Sequence, residues 1–555
     1  MLILERMKAL KILLNSFLAG LFSSALLALL TADLNLNLRV TPGFIAGLTV
    51  RFALTYGLAI CLLSVLVFLL VRFFSSRTAR LEWIYPSFLL LSFSLFTLAF
   101  VAVLRANYRH YFSFFDVPVR TSIRAQLIGL LLLGVAGLAT YFSIRRYRRR
   151  YGVYRAYLVL MLLGLVLAFG QRWRYPEPQI TSGREPLQGR TADKKVTVIG
   201  LEGLTADILA SLVAKGRLPN FAWLRENGGS AGLAGFSPSE RSALDASLET
   251  GKLPAKHRRF SDARYRLMKM PETVEIAPRF ILFRQLARLG LLEILPNRSS
   301  LAVKDTWEIL AGNRISYVRM DGPEEPGSPG PDSACGKLLD DAFDNPALLQ
   351  DPFFQLAKTA FLRDCAREES VAREKGLTQP EVLYFMLDGL NLVETYFYKF
   401  SFPQQFGTIN QDDLNLYGPV IEKYYEFYDA LIGKYLTGLK EEELLIVFSP
   451  HGIAPLPVWK RFVERVLGDP QVSAYHEKAP EGVIYFYGRA VRRGQKAGLV
   501  RIVDIAPTLL YYLGLPVGRD MDGVAASPFF TDEFVQENPI IYISSYEDFR
   551  IQPPE

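Results

Sequence analysis

The 555-residue chain contains no internal repeat, no heptad pattern and no glycine-rich phosphate loop. Those absences exclude a solenoid, a coiled coil and a P-loop nucleotide site. Three cysteines are too few for a disulfide framework. Cys61 falls inside an apolar run, where a thiol packs as a small hydrophobe. Cys335 and Cys365 remain as one candidate disulfide, of a kind that persists only in an oxidising compartment. The N-terminus lacks the short apolar core of a cleavable signal peptide, because its first apolar run is long and more runs follow it. No polar domain separates those runs.

Apolar residues, by contrast, are abundant: hydrophobic types make up 50% of the chain, and mean hydropathy is positive. Five runs precede residue 175, near Leu10–Leu30, Phe52–Val71, Trp83–Val103, Ala125–Tyr141 and Ala156–Phe169. Most approach the ~20 residues that cross ~30 Å of hydrocarbon as a helix. The fifth is short and flanked by Arg155 and Arg172, which are expected to snorkel to the interface. Arg6, Lys8 and Lys11 precede the first run, and Arg77 and Arg80 lie between the second and third. Arg145, Arg146, Arg148, Arg149 and Arg150 lie between the fourth and fifth. The positive-inside rule places these three segments in the cytoplasm. Arg105, Arg109, Arg120 and Arg124 oppose that orientation, and the 145–150 cluster outweighs them. The reading is a multi-pass protein of the plasma (inner) membrane with a cytoplasmic N-terminus and everything after about Trp173 outside. The net charge of +8 then sits largely beside anionic headgroups and does not indicate a nucleic-acid partner.

The expected organisation is a transmembrane domain over 1–173, a proline-rich linker over 174–194 and an extracytoplasmic domain over 195–555. A cap or insert at about 258–380 is expected to be peripheral helices with a surface loop at the breaker-dense 322–336. The exported domain opens on Lys195–His257. Val196–Ile199 is a short β-branched strand signal, Gly200, Glu202 and Gly203 form an acidic turn, and Leu204, Ile208, Leu209 and Leu212 share a helix face. Further apolar segments lie at 382–400, 444–455, 473–488 and 503–523. Strand, turn and helix in alternation predict an α/β domain with a mostly parallel central sheet flanked by helices, and a site at the strands' carboxyl ends.

The residues Ile199-Gly200-Leu201-Glu202-Gly203-Leu204, then Gly216–Leu224 (GRLPNFAWL), Ser237-Pro238-Ser239 and Thr250–His257 (TGKLPAKH) carry a resemblance. Together with 503–523 they resemble the alkaline phosphatase superfamily, in its type I phosphodiesterase and sulfatase-like branch. The resemblance implies two divalent cations, usually zinc, on Asp and His ligands, and a Ser or Thr nucleophile. The first metal-binding aspartate corresponds to Glu202. The nucleophile position, counted forward from Pro238 and back from Thr250-Gly251, is Arg241, which cannot attack as an oxygen nucleophile. Ser242 and Ser239 are the nearby hydroxyls, each needing a register shift. In the segment after Asp388-Gly389, Asn391 stands for an aspartate ligand and Thr395 for a histidine, both weak replacements on zinc. Ser449-Pro450-His451-Gly452 has Pro450 for a ligand aspartate, while His451 and the later His476 survive.

This tally implies a pseudoenzyme with no catalytic residue and no metal expected. Arg241 is expected to take a cation's place, pair with Glu202 and hold a phosphate by its two-pronged guanidinium. The expected pocket is Glu202, Arg241, Asn391, Thr395, His451 and His476. The second reading is an active phosphodiesterase or phospho-transferase using one zinc or manganese on Glu202, His451 and His476, with Ser242 as nucleophile. The third is a structural subunit of a membrane assembly that docks other membrane proteins. Five spans before a phosphatase-like domain are also similar to the layout of lipopolysaccharide phosphoethanolamine transferases, lipoteichoic acid synthases and degenerate relatives that sense envelope lipid. That similarity implies membrane lipids and a phosphorylated lipid or glycan as partners.

Overall fold

Long apolar helices dominate the first 173 residues, as their composition requires. The computed structural model describes residues 2–74, 86–147, 151–175, 194–297, 300–321, 333–476 and 479–547. Five helices in it are long and apolar enough to cross a membrane: Leu10–Leu34, Pro42–Leu70, Ser87–His110, Val117–Ser143 and Gly152–Trp173. Most run past the expected ends, taking in buried polar residues such as Thr31, Asp33, Asn107 and Arg172. Ser24 donates to Gly20 O at 2.8 Å, Ser94 to Leu90 O at 2.7 Å and Thr97 to Phe93 O at 2.8 Å. Each hydroxyl is thus satisfied within its own helix. The second helix starts under a Thr41 cap with Pro42 in its first turn, and passes through a π-turn at Ala53–Gly57. There it crosses the first helix so closely that a Cβ on Gly20 would lie 2.3 Å from Gly57 O, so only glycine fits. Leu62, Leu66, Leu69, Val159, Leu163 and Val166 face outward, as a lipid-facing surface requires. Arg172 does not snorkel as expected. It is buried and donates to Ala32 O at 2.6 Å, Asn35 O at 2.9 Å and Leu38 O at 3.2 Å, satisfying carbonyls at and beyond the end of the first helix.

The chain divides into two compact units, Met1–Gln179 with Arg258–Ser300, and Ile180–His257 with Leu301–Glu555. The first unit therefore includes residues that sequence reading grouped with the insert. They form an antiparallel hairpin, Ala263–Leu267 with Leu292–Pro296. Asparagines beside the first and third helices hold this segment. Asn35 Oδ1 accepts from Glu275 N at 2.8 Å and Ile276 N at 2.7 Å, while its Nδ2 donates to Ile276 O at 3.0 Å. Asn107 grips Arg279 in the same two-way manner, at 2.7 and 3.3 Å, and Tyr111 donates to Ala277 O at 3.0 Å. An asparagine side chain suits this role because it offers a peptide-like donor and acceptor on a short arm.

The second unit is built on a seven-stranded sheet. In chain order its strands are β1 (Lys195–Leu201), β2 (Gly229–Ala234), β3 (Tyr317–Met320), β4 (Val382–Leu387), β5 (Glu443–His451), β6 (Glu481–Tyr487) and β7 (Gln495–Arg501). They lie side by side as β7-β2-β6-β5-β1-β4-β3. β6 alone runs against its neighbours; every other pairing is parallel. The central strands are largely apolar because both faces are covered. Ile199, Leu201, Phe385 and Val447 enter one core cluster, and Val196, Val198, Tyr384 and Ile446 the other. The expected fold class, apolar helices followed by a mostly parallel sheet between helices, is the observed one. Within the rest of the insert, helices Ala334–Ala342 and Gln355–Thr378 are joined by a Cys335–Cys365 disulfide with Cα atoms 5.8 Å apart. The expected linker and breaker-rich loop fall largely on 176–193 and 322–332, and the 145–150 arginine cluster in part on 148–150, outside the described residues.

Two measurements check this architecture. Asn35→Ala removes the side chain's three hydrogen bonds to Glu275 and Ile276, about 3 kcal/mol at about 1 kcal/mol each, so amide exchange at those residues should accelerate on the order of 100-fold. Unchanged exchange would contradict the tie. Cys335→Ser removes a closure spanning 30 residues. The loop-entropy estimate for that length is about 3–4 kcal/mol, to be read from denaturant melts of oxidised and reduced protein.

Candidate functional site

Three neighbouring parallel strands end at one place. The register that pairs Leu201 with Leu387 sets the next residues, Glu202 and Asp388, side by side, and His451 closes β5 on the other flank. The chain can turn sharply after Glu202 because Gly203 adopts φ +105°, and a Cβ there would lie 2.9 Å from Asn391 N. Two helices start beside the carboxylates. Arg241 is the first residue of helix Arg241–Thr250, and Asn391 lies in the first turn of helix Gly389–Ser401.

Arg241 sits between the two acids. Its Nη1 is 2.6 Å from Asp388 Oδ2 and 3.6 Å from Glu202 Oε2, and its Nε is 3.8 Å from Asp245. Asp388's other oxygen accepts from Arg363, on helix Gln355–Thr378. Glu202 Oε1 accepts from Asn391 Nδ2 at 3.0 Å and lies 3.4 Å from His451 Nε2. The His451 Nδ1 is 3.1 Å from Gly452 O, so both ring nitrogens face oxygen acceptors. The His476 ring stacks on the His451 ring at 4.8 Å.

Burial would raise the Glu202 carboxyl's pKa, but the His451 contact and the Arg241 charge outweigh it and hold it below the ordinary range. Asp388 is likewise pulled down against its burial, chiefly by Arg241 and then by Arg363. Burial disfavours the Arg241 charge, yet Glu202, Asp388 and Asp245 together hold it charged more firmly than in a free side chain. A second acid, Asp364, lies behind Asp388. Its Oδ2 accepts from Tyr424 and Tyr428 at 2.8 Å each and from Gly389 N at 3.0 Å. Burial, with the Asp388 charge adding to it, pushes Asp364 up to about 6.

The structure thus brings Glu202, Arg241, Asn391, His451 and His476 together. Arg241 is closer to Asp388 than to Glu202, the pairing expected from sequence. The Thr395 hydroxyl is engaged within its own helix, donating to Asn391 O at 2.8 Å. The Ser242 hydroxyl is buried away from solvent. Sequence reading missed Arg363, Arg367 and Asp364. Arg363 and Arg367 lie four residues apart and share a helix face, and Arg367 donates to Met386 O at 2.9 Å. Charged residues on one helix face are the signal that was present, but no motif ties that face to the strand ends.

The donor set does not fit a two-metal centre. Pro450 has no side-chain donor, the Thr395 hydroxyl bonds to Asn391 O, Asn391 presents its Nδ2 to Glu202, and a guanidinium lies 3.6 Å from the one carboxylate beside the histidines. Among the described residues, the set of three His, Cys, Asp or Glu ligand atoms that converge within 4.8 Å is Cys335, Cys365 and Glu369, whose two thiols form the disulfide.

No protein-family model and no curated protein matches the chain. Among solved structures it is similar to a phosphonate monoester hydrolase from Silicibacter pomeroyi, at 13% identity over 61% of this chain and 77% of that one, with a TM-score of 0.35. It is also similar to murine ectonucleotide pyrophosphatase/phosphodiesterase 5, an inactive variant in complex with AMP, at 10% identity over 62% of this chain and all of that one, again with a TM-score of 0.35.

Two outcomes are expected here. Asp388→Ala leaves Arg241 and Arg363 without their shared carboxylate and should cost about 2–4 kcal/mol, toward the low end because Arg241 is one-third exposed. In a double-mutant cycle, Arg241→Ala should offset part of that loss. Asp364 titrates near 6 when folded, against about 3.9 unfolded. The folded state therefore binds the extra proton, and Asp364's contribution to stability is present below about pH 4 and lost as pH rises through 6. Asp364→Asn should flatten this segment of the stability-pH curve; an unchanged slope would contradict the assignment.

Proposed function

We propose that this chain is a membrane-anchored pseudoenzyme on an alkaline-phosphatase-type scaffold, whose exported domain binds a phosphate group of an envelope lipid or glycan without turning it over. The observation that carries the reading is Arg241, a guanidinium held between Glu202 and Asp388 at the strand ends. It stands where the sequence resemblance calls for the nucleophile, and it brings a fixed positive charge to the two carboxylates. A two-metal phosphoryl transferase needs a hydroxyl and open cation sites there. Guanidinium has five N–H donors, so those beyond the Asp388 contact suit a two-pronged phosphate contact. Arg363 supplies a second guanidinium, whose buried Nε has no hydrogen-bond partner among the described residues. The exported location rests on the arginine-rich segments assigned to the cytoplasm and on the Cys335–Cys365 disulfide, which suits an oxidising compartment.

The active reading, one zinc or manganese on Glu202, His451 and His476 with Ser242 attacking, is disfavoured by the buried Ser242 hydroxyl and by the guanidinium beside Glu202. The docking-subunit reading has no specific contact in its favour. The test uses the purified full chain in detergent. Hydrolysis of a nitrophenyl phosphodiester with added zinc or manganese should stay at background. Inorganic phosphate should raise the melting temperature, and Arg241→Lys, which keeps the charge but loses the fork, should weaken that effect about tenfold. Turnover that depends on Ser242 would overturn the proposal.

A further inference from the structure

The ten-residue helix Val458–Leu467 is amphipathic in the wrong direction for a helix packed on a core. Its apolar residues face out: Val458 is 74% exposed, Trp459 61%, Phe462 68% and Val466 60%. At 100° per residue these fall, with Val463, within an arc of about 140°. Its polar residues are turned to the domain. Arg461 donates to Leu456 O at 2.8 Å and lies over the Phe406 ring, Glu464 accepts from Asp469 N at 3.1 Å, and Lys460 lies over the Tyr475 ring. The side that normally meets water is anchored, and the side that normally meets a core is presented.

The mount is firm. Residues Ala454–Pro455 pair with Ala474–Tyr475, closing the loop at its base. Ser473 fixes that base to the helix carrying Asn391, donating from its N to Thr395 O at 2.8 Å and from its hydroxyl to Tyr396 O at 3.0 Å. The loop leaves the sheet just after His451, and His476 directly follows the strand that closes its base, so its helix belongs to the rim of the candidate pocket.

We infer that the apolar face of Val458–Leu467 docks on an anionic lipid bilayer and seats the pocket at headgroup depth. Three features select a bilayer as the occupant. Trp459 and Phe462 supply the aromatic and apolar face of an interfacial helix. Arg465, exposed at one border of the apolar arc, is complementary to anionic headgroups. The same chain carries five helices that cross a membrane by length and composition, so a bilayer is its permanent neighbour. The inference does not depend on what the pocket binds, because depth of the helix is measured without any pocket ligand.

The experiment places the full chain, with Cys61→Ala and the Cys335–Cys365 disulfide intact, in nanodiscs of mixed zwitterionic and anionic lipid. A nitroxide is attached at Phe462→Cys, and in a second sample at Glu441→Cys, a side chain 85% exposed before the start of β5. Both positions are exposed, so neither label disturbs packing. The Phe462 label should sit about 5–10 Å below the phosphates, with collision by a water-soluble nickel complex roughly tenfold lower than at Glu441 and collision by oxygen raised. Arg465→Glu should return it toward the Glu441 value. Equal nickel access at the two positions would overturn the inference. So would a Phe462 label shielded from both nickel and oxygen, which marks a protein occupant, or dipolar broadening between labels, which marks a second copy.

Discussion

Two carboxylates at the carboxyl ends of adjacent parallel strands cannot both stay ionised in a buried site without a counter-cation. Glu202 and Asp388 are placed side by side by the register of β1 and β4, and both are held below the ordinary carboxylate range. In this chain the counter-charge is a side chain. Arg241 lies between them and Arg363 takes the far oxygen of Asp388. A guanidinium differs from a divalent ion in what it permits. It neutralises and positions, but it offers no open coordination site and cannot acidify a bound water. We propose that the chemistry left to such a pocket is recognition.

The same logic of replacing an absent partner by a built-in one recurs in the membrane unit. Asn35 and Asn107 present peptide-like groups to the backbone of 275–279, and Arg172 supplies donors to carbonyls at the end of the first helix and just beyond it. Buried backbone groups near a membrane cannot rely on water, so side chains complete them. The outcome is that a hairpin distant in sequence belongs to the compact unit of the membrane helices.

What was legible in the sequence follows from range. The five spans, and the strands at 195–201, 382–387 and 443–451, announce themselves by local apolar runs, and the resemblance placed Arg241 by counting from Pro238 and from Thr250. Glu202, Asn391, His451 and His476 were found in the same way, and the structure gathers them. Arg363 was not legible, because its partner Asp388 is on another element and no spacing relates them. The bond of the Thr395 hydroxyl was not legible either, because helix geometry lets a threonine return its hydroxyl to the fourth residue before it. Arg172 was read as snorkelling because sequence shows which residues flank a span and not which carbonyls lie open beside it. The hairpin within 258–300 was hidden for the opposite reason to the spans: its strands are short, charged and half exposed.

The central claim is that a guanidinium occupies the position of the catalytic cations. Elemental analysis by mass spectrometry of the full chain, purified without chelator and then offered zinc and manganese before desalting, tests it most directly. The account predicts substoichiometric metal that is no higher in the wild-type chain than in Glu202→Gln or His451→Ala. Two tightly held zinc ions per chain, lost in those variants, would contradict it.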